Sequence, residues 1–214
     1  DHIDPPLGTC RVCTCNIDGN TRQACTEKIH DGLEVEINTE ELADIRKAIV
    51  EMMFSEGNHF CPGCQKSGNC DLQHLGYEMG LSHLRFPHLF KDQLIDFEPK
   101  RMILEHNRCV KFARCVVEVL TDDQKQVFSF CNRGNETVVG IDYVEEAKLT
   151  DEQAAEAMRL CPTGAIFVRW QSYAEPFGHR KFDLHSVDPR QQDDHPEPEK
   201  SAKPREKKKV ATIS

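Results

Sequence analysis

The stretch Gly57-Asn58-His59-Phe60-Cys61-Pro62-Gly63-Cys64-Gln65-Lys66-Ser67-Gly68-Asn69-Cys70 decides how this chain is to be read. Cys61 and Cys64 stand as C-x2-C, a spacing that turns two sulfurs toward one centre. Gly63 and Gly68 permit the tight turns that bring Cys70 back to them. His59 lies just ahead of the first thiol. Three thiolates and an imidazole make a four-ligand set, which suits tetrahedral zinc as well as an iron–sulfur cluster. On spacing alone both stay open, and a surface-loop histidine is the plain alternative for His59.

Working outward, Asn38 can cap a helix with Glu41 completing a capping box, and Leu42, Ile45, Ile49, Met52 and Met53 recur at helical spacing. Gly57 closes that helix, which stands as a post beneath the cysteine loop. Before it, short apolar alternations within 21–37, around Val35 and Ile37, predict strands. After it, 71–108 reads as mixed and loop-rich, with Pro87 and Pro99 as breakers. Residues 109–120 read as a helix, and 127–130 and 137–141 as two strands around the turn Asn132-Arg133-Gly134-Asn135. Thr150 with Gln153 opens a second capped helix that runs to Cys161, and a short strand follows. No repeat of fixed period is present. The expected class is α+β.

Hydrophobic residues make up 38% of the 214 and aromatics 7%, a thin apolar supply for a globular chain. Something besides a large apolar core must help hold the fold, and the eleven cysteines are the candidate. Their number is odd, and most fall in two tight groups: Cys10, Cys13, Cys15 and Cys25, then Cys61, Cys64 and Cys70. No apolar run is long enough for a signal-peptide core or a membrane span, so nothing points to export and a cytoplasmic location is expected. In a reducing compartment such clustering favours metal over disulfides. A net charge of −9 argues against nucleic acid as a partner. The exception is the run Lys203, Arg205, Lys207, Lys208 and Lys209, which follows the Pro/Asp/Glu-rich stretch 188–200 and reads as a solvated tail.

The run GNHFCPGCQKSGNCDLQ, residues 57–73, resembles the His-plus-three-Cys [4Fe–4S] segment in the largest iron–sulfur subunit of respiratory complex I. It resembles still more the diaphorase iron–sulfur subunit of soluble NAD-reducing [NiFe] hydrogenases, with which it shares the short step from His59 to Cys61. The resemblance implies that His59, Cys61, Cys64 and Cys70 bind one [4Fe–4S] cluster. LGTCRVCTCN, residues 7–16, with Cys25 beyond, resembles the [2Fe–2S] ferredoxin-type domain that opens the same family. Cys10, Cys13 and Cys25 match its last three ligands. Its first would fall ahead of Asp1, so the chain as given is expected to begin inside that domain; Cys15 is read as a packed thiol.

In the family a C-x2-C-x2-C group plus a later Cys-Pro binds a second [4Fe–4S] cluster. Here Cys109, Cys115 and Cys161-Pro162 keep three of those positions and Phe112 occupies the middle one. Three outcomes follow: a three-iron cluster, no cluster, or a replacement ligand, for which Cys131 is the candidate and a plain buried thiol its alternative. FCNRGNETVVGID (130–142), LCPTGAI (160–166) and FGHRKFDLHSV (177–187) carry the resemblance almost to the tail. Complex I-type subunits and related formate dehydrogenases continue into a molybdopterin-type domain where this chain stops, which favours the hydrogenase.

The expected organisation is therefore a [2Fe–2S] ferredoxin-type domain at 1–37, N-terminally incomplete, a His-plus-three-Cys [4Fe–4S] domain at 38–78, a ferredoxin-like cluster domain at 79–187 and a flexible tail at 188–214. The implied function is electron relay in a diaphorase module. No Gly-rich dinucleotide fingerprint is present, so FMN and NAD are expected on a flavoprotein partner. The hydrogenase small subunit, and through it the [NiFe] large subunit, would be the other partners, with neither nucleic acid nor membrane bound. A complex I-like or formate dehydrogenase subunit is the nearer alternative, and a zinc-stabilised non-redox scaffold the more distant one.

Overall fold

A computed structural model describes residues 4–89 and 93–187. The expected tail and its basic run lie outside the described residues. The chain opens with a small antiparallel sheet of β1 (Thr14–Ile17), β2 (Asn20–Gln23) and β3 (Val35–Glu36), ordered β2-β1-β3. β1 is central, and Thr14, Cys15 and Ile17 are buried along it. Cys15 is thus a packed thiol, as its place on a strand suggested.

α1 (Glu40–Glu56) follows and lies on this sheet. Its cap is Thr39, whose hydroxyl accepts from the Leu42 amide at 3.2 Å, and not the expected Asn38. Both are capping residue types, and the chain enters the helix one residue later than the box pattern indicates. Arg46 fastens helix to sheet by donating to the Thr14 and Ile37 carbonyls, each at 2.9 Å. α2 (Asp71–Glu78) packs beside α1, within a stretch read from sequence as loop-rich. The segment after it returns over α1, where Arg85 meets Glu51 and Asp44, both at 2.7 Å.

The second half carries β4 (Ile95–Asp96), β5 (Met102–Glu105), α3 (Arg114–Glu118), β6 (Phe128–Cys131), β7 (Val138–Ile141), α4 (Tyr143–Glu146), α5 (Asp151–Leu160), β8 (Ile166–Val168) and α6 (Lys181–Leu184). β4, β5 and β8 form an antiparallel sheet with β5 central, and β6 and β7 form a hairpin with Cys131 opposite Val138. α5 begins at Thr150 with the full capping box to Gln153, as the sequence predicts. Met102, Leu104, Phe128, Val139, Leu149, Ala154, Ala157 and Ile166 close one core between β5, the hairpin and α5. Glu146, fully buried, accepts from the amides of Lys100, Arg101 and Met102 at 2.6–3.0 Å and holds the entry to β5 in place.

The helix expected over 109–120 is not continuous. Only α3 forms, and before it Lys111 and Ala113 take left-handed backbone, with φ of 55° and 72°. The chain is bent there around Cys109 and Cys115. No helix among the described residues is long and apolar enough to cross a membrane.

Candidate metal centres

α1 ends at Glu56, and Gly57 turns the chain so that His59 lies under the helix end. The His59 ring meets Phe54 edge-on at 5.6 Å between centroids. Burial pulls its pKa down to about 4, against a hydrogen bond from the ring to the Met53 carbonyl, and the charge of Arg108 pushes the same way as burial. The imidazole is therefore neutral. Nε2 is buried and has no partner, so Nδ1 carries the proton and Nε2 presents its lone pair. Gly57 makes room for this: a Cβ there would stand 2.5 Å from Nε2.

Cys61-Pro62-Gly63 forms one 3-10 turn that sets Cys64 beside Cys61. The loop then returns to Cys70, which caps α2, its Sγ accepting from the Gln73 amide at 3.5 Å. His59, Cys61, Cys64 and Cys70 line one narrow cavity, walled by Phe54, Leu72, Arg108 and Gly164. Arg108 donates to Gln65 Oε1 at 2.6 Å and stands 3.8 Å from Cys64 Sγ. Gly164 comes so close that a Cβ would lie 2.4 Å from the same sulfur. Burial pushes the Cys70 thiol up to about 12 and raises that of Cys61 as well. Such thiols become thiolates only when a cation replaces the proton.

Cys109, Cys115 and Cys161 line a second cavity together with Phe112, Ala113 and Thr163. The Cys109 sulfur accepts from the Lys111 amide at 3.4 Å, made possible by the left-handed turn at Lys111. Burial drives the Cys109 thiol to about 11 and the Cys115 thiol higher. All three cysteines belong to or pack on the apolar core. Two bonds stitch this centre to the previous one. The Asp71 amide donates to the Pro162 carbonyl at 2.9 Å, and the Thr163 hydroxyl to the Arg108 carbonyl at 2.7 Å.

Cys131 is not brought to this group. Side chains alternate along the hairpin, and Phe128 and Val139 take the core-facing side. Cys131 therefore faces the other way, exposed, with its sulfur against Gly140. Cys10, Cys13 and Cys25 do come together, lining an open groove with Val12, Phe112 and Arg114. Arg11, at φ 56°, reverses the chain between the first two, and the Cys25 amide donates to Cys13 Sγ at 3.5 Å. Burial raises the Cys25 thiol, and its neighbours Cys13 and Cys10 add to the effect. The Thr9 hydroxyl donates to the Phe112 carbonyl at 2.9 Å, so Phe112 borders the first and third groups at once.

Among the described residues, no three His, Cys, Asp or Glu side chains close on a point as one metal ion requires. Here the sulfurs ring cavities, with backbone amides on Cys13, Cys70 and Cys109 and an unpaired imidazole nitrogen beside the second group. That donor set, thiols and one imidazole with N–H bonds to sulfur, fits iron–sulfur clusters. Sequence reading missed Arg108, Lys66, Gly164 and the double role of Phe112; only the adjacency of Arg108 to Cys109 signalled any of them.

Residues 46–85 match the family model of the NADH-ubiquinone oxidoreductase-G iron-sulfur binding region, and residues 102–168 match that of the 4Fe-4S single cluster domain. The chain is 43% identical over 185 residues to the NAD-reducing hydrogenase HoxS subunit gamma of Cupriavidus necator, covering 86% of this chain and 79% of that one. It is 31% identical over 166 residues to the NADPH-Fe(3+) oxidoreductase subunit alpha of Geobacter sulfurreducens, covering 75% of this chain but 19% of that one. A crystal structure of NAD+-reducing [NiFe]-hydrogenase in the H2-reduced state superposes with a TM-score of 0.74 at 32% identity, over 84% of this chain and 77% of that chain.

Proposed function

The chain belongs to the family of the NAD-reducing hydrogenase gamma subunit, and on that premise we propose that it wires a flavoprotein carrying FMN and NAD to the hydrogenase small subunit and its [NiFe] partner. The observation that carries the reading is the contiguity of the three cysteine groups. The third group shares Phe112 with the first and is stitched to the second through Asp71, Pro162, Thr163 and Arg108.

Iron–sulfur clusters supply reversible one-electron storage when bound. The chain's own residues do the rest. His59, Cys61, Cys64 and Cys70 hold a [4Fe–4S] cluster, with Phe54 and Leu72 keeping water away. Cys109, Cys115 and Cys161 hold the next cluster. With Phe112 in the fourth place and Cys131 on the far face of its hairpin, a three-iron cluster is the form we favour there. Cys10, Cys13 and Cys25 supply three of the four ligands that a [2Fe–2S] cluster takes. The domain limits 1–37, 38–78 and 79–187 follow these three groups, and a cytoplasmic setting suits all of them.

The test is to reduce the chain anaerobically with NADH in complex with its flavoprotein partner and to record electron paramagnetic resonance. At least two cluster signals are expected. His59→Cys should keep its cluster while lowering the midpoint potential, because a thiolate adds negative charge where imidazole adds none. A His59→Ala variant with unchanged spectrum and potential would overturn histidine ligation.

A further inference from the structure

Lys66 sits inside the second cysteine loop, between Cys64 and Cys70, yet its side chain leaves that loop. Its ammonium donates to the Met158 carbonyl at 3.0 Å and the Arg159 carbonyl at 2.9 Å, in the last turn of α5. Cys161 follows directly on that turn. The residue is 4% exposed. Its stem passes Gly164, where a Cβ would stand 3.4 Å from Lys66 Cβ. One side chain thus runs from the loop of the second group to the helix end that presents the third.

Lysine is among the residues least often buried, and a buried ammonium normally has a carboxylate beside it. The hydrogen bonds of Lys66 go instead to neutral carbonyls at the negative end of a helix dipole. Carbonyls and a dipole offset part of a unit charge and leave the remainder to whatever anions lie near. Cys64 and Cys70 flank Lys66 in its own loop, and Cys161 follows directly on the helix turn to which its ammonium donates. Asp71 is already engaged by Arg114 at 3.2 Å. The anionic positions left nearby are thiols of the two groups.

We propose that Lys66 is a fixed cation shared by the second and third cysteine groups, a positioning residue that raises the reduction potentials of both iron–sulfur centres. A buried positive charge favours whichever state carries more negative charge, and an added electron makes that the reduced state. The same charge serves both because the side chain runs from the loop of one group to the helix end that presents the other. The inference rests on the proposal that these two groups hold clusters. Iron and electron paramagnetic resonance signals of the native complex test that proposal alone, and Lys66 variants test this one.

The experiment is a redox titration of the intact complex, followed by electron paramagnetic resonance, with Lys66→Met, Lys66→Gln and Lys66→Arg. The two neutral variants should shift both midpoints negative, while Lys66→Arg keeps both near native. A residue that only caps α5 would leave the midpoints in place, and a shift confined to one centre or to neither overturns the proposal. Should the neutral variants lose iron, the midpoints are read after reconstitution of the same variants, and unshifted values there overturn the proposal. Loss of iron in Lys66→Arg as well would overturn it.

Discussion

In residues 93–187 the cysteines rest on apolar packing, whereas in residues 4–89 the packing rests on the cysteines. Cys109, Cys115 and Cys161 pack on a core in which Met102, Leu104, Phe128, Val139 and Leu149 are almost completely excluded from solvent. The earlier half buries Ile17 on β1, Leu42 and Val50 on α1 and Leu72 on α2, a smaller apolar set, and holds itself with polar staples such as Arg46 and Arg85. The lesson is that the same donor type does different work in the two places. In the later half cysteine decorates a fold that hydrophobic burial already specifies. In the earlier half the cysteine-bearing segments 8–13, 24–26 and 57–70 have little else to converge on.

Iron removal should produce the largest effect and the clearest contrast. Chelation of the protein under anaerobic conditions is expected to abolish amide hydrogen-exchange protection in α1, α2 and β1 while β5, β8 and α5 keep most of theirs. Equal loss in both halves, or earlier loss in the later half, would break the comparison.

Next in size is the core itself. Phe128 is fully buried, and Phe128→Ala should cost about 3–5 kcal/mol in denaturant titrations of the iron-loaded protein. A change under about 1 kcal/mol would show that the later half does not depend on its apolar packing.

The pH response sharpens the contrast from the other side. The His59 imidazole binds a proton near pH 6.5 in the unfolded chain and only near 4 when folded. The unfolded state therefore takes up more protons between those values, so stability is fully present above 6.5 and is lost as pH falls toward 4. Iron held at Nε2 excludes the proton as burial does, so the sign holds for the loaded protein. Denaturant midpoints measured across pH 4–7 should be flatter for His59→Asn, and an identical slope would remove His59 from the account.

The smallest effects belong to the caps. Thr39→Ala and Thr150→Ala should each cost about 1 kcal/mol in thermal melts. The two differ in consequence: α1 carries His59 at its end, so Thr39→Ala should also loosen the second centre, while Thr150→Ala should leave its spectrum unchanged.

What the sequence disclosed and what it withheld separate along the same lines. α5 and its box were legible because Thr150 and Gln153 are capping residues by type and the pattern behind them is helical. The helix α2 was not, because its cap is Cys70, a residue outside the usual capping set whose sulfur accepts the Gln73 amide. The run from Cys109 looks helical by composition, and nothing in Lys111 or Ala113 announces left-handed backbone; the need to turn two thiols into one cavity overrides propensity there. β5 was missed because Met102, Leu104 and Glu105 are all buried, so no alternation marks the strand. The cysteine spacing of the second group was legible to the residue. The neighbours that close its cavity, Arg108 and Gly164, come from distant sequence and carry no local mark.

The central claim is that the three cysteine groups hold iron–sulfur clusters and not isolated ions. Elemental analysis for iron and zinc, with acid-labile sulfide, on the intact anaerobically purified protein addresses it most directly. The account predicts roughly seven iron atoms from the second and third groups, and two more where a fourth ligand completes the first, with a similar amount of sulfide and only traces of zinc. Stoichiometric zinc without sulfide would contradict it.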